Sequence, residues 1–159
     1  MRRMFRSRAA TLVLSSLSVM FLAGRAHAAG ATDPWTKAQL ISPEALNKRL
    51  VQTKAAAPLI IHVGFRPLYV QGHIPGSVYY GPGSRPEGLA GLRKYVQDFP
   101  RNQEVVIYCG CCPWSECPNV RPAFKALKEM GFTRVKVLEI PDRLSTDWVA
   151  KGYPLDKGE

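Results

Sequence analysis

"EVVIYCGCCPWSECPNVRPAFKALKEMGF", Glu104 to Phe132, carries the reading of the whole chain. Its first six residues, apolar after Glu104 and rich in β-branched side chains, read as a strand buried on both faces. From Val120 onward, Val120, Phe124, Leu127 and Met130 recur three and four residues apart, the period of an amphipathic helix. Asn119 is placed to cap its start, and Gly131 to end it in a left-handed conformation. Between strand and helix lie Cys109, Cys111, Cys112 and Cys117, the only four cysteines in 159 residues.

Two more runs of the same kind flank this segment, "PLIIHV" from Pro58 to Val63 and "RVKVLEI" from Arg134 to Ile140. Helical patterns fall between them. "SPEALNKRL" offers Ser42 as a cap, Pro43 at the first helical position and Glu44 in the first turn, and "GLRKYVQDF" covers residues 91–99. Strands alternating with helices, without repeats or low-complexity tracts, predict an α/β domain with a mostly parallel central sheet flanked by helices. Ligands of such sheets bind beyond the carboxyl ends of the strands, where Cys109 falls.

The first 28 residues are read as a signal peptide rather than as fold. "MRRMFRSR" is basic, the apolar stretch that follows is short and serine-rich, and "AHA" at Ala26–Ala28 offers small residues for cleavage. An uncleaved membrane anchor and a twin-arginine signal built on Arg2 and Arg3 are the alternatives. The protein is expected in the periplasm or secreted, with no stable membrane anchor after cleavage. Residues 29–41 read as a tether and 42–156 as one domain.

The chain as a whole carries +10, and the mature part has seventeen basic residues against twelve acidic, or +5. The basic residues are scattered and not interleaved with aromatics, so nucleic acid is not indicated. A modest positive excess suits small anionic molecules.

A thiol acts as a nucleophile only when ionised, and the ordinary cysteine pKa of about 8.5 leaves little thiolate at neutral pH. The strand-to-helix placement favours an anion at Cys109, because the loop amides from Gly110 onward and the helix start are positively polarised. Arg121 adds a full charge near the helix start.

"GHIPGSVY" at Gly72–Tyr79, "VVIYC" ending in Cys109, the helix closing in Gly131-Phe132 and "W…GYPL" from Trp148 to Leu155 together resemble the rhodanese-like (sulfurtransferase) domain family. They fall in order over residues 42–156. The resemblance implies the rhodanese α/β fold, Cys109 as catalytic residue, and transfer of sulfane sulfur from a thiosulfate-like anionic donor through a cysteine persulfide to a thiophilic acceptor. Gly110, Cys111, Cys112 and Arg121 are expected to bind substrate. Cys111, Cys112 and Cys117 are candidate resolving or relay thiols, served by a thiol acceptor and a periplasmic redox partner. No cofactor and no metal ligand is assigned.

The chain also departs from that family. His62 and Gly64 stand where an Asp-x-Arg pair is usual, the compact C-x-x-G-x-R-S loop is replaced by a longer cysteine-rich one, and the Gly-Gly after the third strand run is missing. No cysteine has an arginine six positions later, which disfavours the phosphatase relatives of the fold. Three other roles for the loop stay open. It can close a structural disulfide, although adjacent Cys111 and Cys112 pair poorly and so short a loop gains little from closure. It can act as a thiol–disulfide redox module. It can bind a metal, although C-x-C-C-x4-C is not the usual zinc spacing.

His73 is read as structural beside the turn rather than as a base, His62 as a core histidine and Trp148 as core. Trp114 shields the loop or binds a partner, or simply packs the loop against the domain. Arg66 and Arg85 read as solvated surface residues.

Overall fold

A computed structural model describes residues 33–52 and 57–159. The expected signal peptide, and the tether as far as residue 32, lie outside the described residues. Five parallel strands form one sheet: β1 Leu40–Ile41, β2 Leu59–His62, β3 Val78–Tyr79, β4 Glu104–Tyr108 and β5 Arg134–Leu138, in the order β1-β5-β4-β2-β3. The helices are α1 Pro43–Val51, α2 Arg66–Gln71, α3 Pro86–Val96, α4 Val120–Glu129 and α5 Leu144–Asp147. Among the described residues no helix is long and apolar enough to cross a membrane.

The apolar runs read from the sequence are the three central strands. β4 lies between β5 and β2, with Val105 opposite Val135 on one side and Ile61 opposite Ile107 on the other. Strand side chains alternate between faces. Val105, Ile107 and Cys109 therefore join Leu92, Phe124 and Leu127 under α3 and α4, while Val106 and Tyr108 join Leu46, Leu138 and Trp148 on the other face. Burying each large apolar side chain contributes about 1.5–3 kcal/mol, and the two clusters together hold the sheet between its helices. This alternation puts Cys109 on the α4 side, facing the rest of the cysteine loop.

Leu40 and Ile41, read as the end of the tether, instead form β1 against Val137 and Leu138. Ser42 caps α1 as expected, its Oγ accepting from the Ala45 amide at 3.1 Å. The helix expected at 91–99 starts earlier, at Pro86. Its first turn uses proline at the first helical position, where no amide hydrogen is needed.

The "GHIPG" turn is tied to the end of β4 by one buried hydroxyl. Tyr108 Oη accepts from the Ile74 amide at 3.0 Å and lies 3.0 Å from Ser77 Oγ. His73 stacks on Tyr69 with ring centroids 3.9 Å apart, and its Nδ1 lies 2.9 Å from the Tyr69 carbonyl. Its backbone bridges to Asp156. These contacts make His73 part of the scaffold. Trp148 is fully buried and donates Nε1–H to the Pro154 carbonyl at 2.7 Å.

Candidate functional site

β4 delivers Cys109 almost fully buried, and Gly110 then turns the chain at φ +71°. Only glycine adopts that conformation readily. It is also confined by its neighbours: a β-carbon there would lie 2.7 Å from Leu144 Cβ, and the Gly110 carbonyl accepts from the Leu144 amide at 3.1 Å. The loop then makes a 3-10 turn at Trp114–Glu116 and enters α4 through Cys117, Pro118 and Asn119.

The loop folds back on itself. Cys109 Sγ lies 3.1 Å from Cys111 Sγ, which lies 3.0 Å from Cys112 Sγ. Cys117 returns to this group, so that the sulfurs of Cys109, Cys111 and Cys117 all fall within 4.8 Å of one another. All four cysteines are free thiols.

Asn119 corrects its expected role as a cap. Its side chain makes no capping bond; it is fully buried, donates Nδ2–H to Cys109 Sγ at 3.4 Å and accepts from the Ser84 amide at 3.1 Å. Nothing in the local sequence separates this use from a cap, because Ser84 arrives from a distant loop.

The charge of the cluster also falls differently from the sequence reading. Cys117 is the thiol drawn toward the anion: contact with the Cys109 and Cys111 thiols lowers its pKa, and the Asn119 and Val120 amides at the start of α4 lower it further. The polarised helix start thus serves Cys117 rather than Cys109. Contact with Cys111 favours a Cys109 thiolate, but hydrogen bonding to Cys117 and burial outweigh it and push Cys109 up to about 12. Cys111 is raised by hydrogen bonding to Cys109 and Cys117, and Cys112 is pushed up to about 12, first by burial.

A cavity of about 270 Å³ opens beside Cys109, lined on its polar side by His62, Gln71, Cys111, Arg143 and Ser145. Leu68, Leu144, Val149 and Leu155 supply an apolar wall. Of the residues expected to bind substrate, Gly110 and Cys111 line this space, while Cys112 and Arg121 do not. Arg121 braces the loop: Nη1 donates to the carbonyls of Trp114 at 2.9 Å and Cys117 at 3.1 Å, and Nη2 pairs with Asp33 at 2.6 Å. The cation facing the cavity is Arg143, which the sequence reading missed because it sits on the loop after β5 with no motif around it.

His62 is more than a core histidine, since it also lines the cavity. Burial lowers its pKa to about 4, so the ring is neutral, and Nδ1 accepts from the Gly64 amide at 3.3 Å, which leaves the proton on Nε2. A β-carbon on Gly64 would lie 2.8 Å from both Cys109 Sγ and His62 Cε1. Any side chain at 64 would therefore clash with both the thiol and the imidazole. A larger groove of about 540 Å³ lies at the opposite end of the sheet, lined by Arg49, Glu104, Arg134 and Lys136. It holds no cysteine.

The family model of the rhodanese-like domain matches residues 42–139. No curated protein matches the chain. Among solved structures, the rhodanese-like domain of the Alr3790 protein from Anabaena sp. is similar at 21% identity and a TM-score of 0.55, over 75% of this chain and 79% of that one. BH2092 from Bacillus halodurans is similar at 16% identity and a TM-score of 0.58, over 74% and 76%. SseA from Escherichia coli, described as a 3-mercaptopyruvate sulfotransferase with the rhodanese fold, is similar at 18% and 0.52, over 76% of this chain and 52% of its own.

Proposed function

The chain belongs to the rhodanese-like domain family, and on that premise we propose that it is a sulfurtransferase that carries sulfane sulfur on Cys109 as a persulfide. The observation that carries this reading is the position of Cys109: at the carboxyl end of the central strand, its thiol beside a cavity that a cation faces. A small anionic donor such as thiosulfate enters with its charge toward Arg143. The Cys109 proton leaves to solvent through the cavity, and the Cys109 thiolate attacks the outer sulfur of the donor. The donor's S–S bond breaks, sulfite leaves with the electron pair, and Cys109 holds the persulfide. The Asn119 amide donor supports a sulfur anion there.

A thiophilic acceptor then attacks the terminal sulfur and releases the Cys109 thiolate, which recovers its proton. Where no acceptor enters, a neighbouring thiolate attacks the inner sulfur, expels hydrosulfide and leaves an internal disulfide. A periplasmic reductant completes the cycle in this scheme, in line with the signal peptide read at residues 1–28. The test is thiosulfate:cyanide sulfur transfer by the reduced protein. Wild type is expected to turn over and Cys109→Ser to be inactive; equal rates would refute the assignment.

A further inference from the structure

We propose that Cys109, Cys111 and Cys117 form a trigonal thiolate site for the soft monovalent ion Cu(I). Their sulfurs lie within 4.8 Å of one another, and among the described residues no imidazole or carboxylate joins the group. A metal–thiolate bond of about 2.3 Å, the zinc value, would space three sulfurs in a plane by about 4 Å, so ligation needs only small shifts. Both ends of the set are anchored, Cys109 by the central strand and Cys117 by the start of α4.

Donor type and number choose the ion. Thiolate sulfur selects soft ions, whereas a structural zinc site demands a closed tetrahedron of four ligands. The fourth thiol, Cys112, lies 3.0 Å from Cys111 but falls outside the mutual trio. Cys109 and Cys111 line the cavity, which gives the ion an entry path, and the half-buried Trp114 packs on the core beside the cluster. Binding changes no oxidation state; each thiol that still carries a proton releases it to solvent. Because the ion occupies Cys109, metal binding and sulfur transfer exclude each other, yet the site stands whether or not the protein transfers sulfur.

The test is anaerobic titration of the reduced protein with Cu(I) against the chromophoric chelator bicinchoninate, with a parallel zinc titration. One equivalent of Cu(I) should be withheld from the chelator, and zinc should bind more weakly. Cys111→Ser and Cys117→Ser should each weaken Cu(I) binding about 100-fold, and Cys112→Ser less than about 10-fold. Copper X-ray absorption on the wild-type complex, which does not depend on any variant folding, should report three sulfur neighbours. Negligible Cu(I) retention, tighter zinc binding, equal loss in Cys112→Ser, or a count of two or four sulfurs would each overturn the proposal.

Discussion

Asn119 holds Cys109 in place: its carboxamide donates to the Cys109 sulfur at 3.4 Å while accepting the Ser84 amide at 3.1 Å from the other side. One buried side chain thereby couples the strand end, the start of α4 and the loop before α3. Asn119→Ala removes both bonds and leaves the Ser84 amide without its partner. It should lower unfolding free energy by about 1–3 kcal/mol in urea titration and reduce sulfur transfer in the fraction still folded. Stability and rate both equal to wild type would make the carboxamide a mere space filler.

Arg143 faces the cavity from an exposed loop, where a charge–anion contact is worth at most about 1 kcal/mol. In Arg143→Gln the KM for thiosulfate should therefore rise about fivefold while kcat changes little. An equal fall in kcat with KM unmoved would place the charge in the chemical step instead.

His62 makes stability depend on pH with a defined sign. Burial lowers its folded pKa to about 4 from an ordinary 6.5, so between these values the unfolded chain binds more protons. Stability is whole above about pH 6.5 and falls as pH drops toward 4, by roughly 3 kcal/mol from this group alone. Denaturant titrations across that window should give a shallower slope for His62→Gln than for wild type. Parallel slopes would mean that folding leaves the imidazole's proton affinity unchanged.

Cys117 folds back to within 4.8 Å of Cys109, with its pKa drawn down by the neighbouring thiols, which makes it the strongest candidate to resolve a persulfide. Donor-treated Cys117→Ser should keep the Cys109 persulfide longer and release sulfide more slowly than wild type. If sulfide release is unchanged, Cys111, 3.1 Å from Cys109, is the better candidate.

The parts of this architecture written in local pattern were legible without coordinates. Pro58–Val63, Glu104–Cys109 and Arg134–Ile140 are long enough and apolar enough to declare buried strands, and Val120–Phe132 declares its helix by period. β1 and β3 are two-residue edges, too short for any alternation to register, and α2 and α5 are single short turns without a sustained face. The position of Cys109 followed from strand length. The gathering of Cys117 against it did not, because sequence spacing does not report a loop that folds back. Arg121 and Arg143 show the same limit: the arginine nearest in sequence braces loop carbonyls, and the one facing the cavity arrives from the far side of β5.

The central claim is that sulfur is carried covalently on Cys109, and intact-mass spectrometry of the reduced protein after brief thiosulfate treatment tests it most directly. The account predicts a gain of one sulfur atom in wild type, mapped by peptide analysis to Cys109 and removed by cyanide, with no gain in Cys109→Ser. The same gain in Cys109→Ser, or a label mapped to Cys111 or Cys112 in wild type, would contradict it.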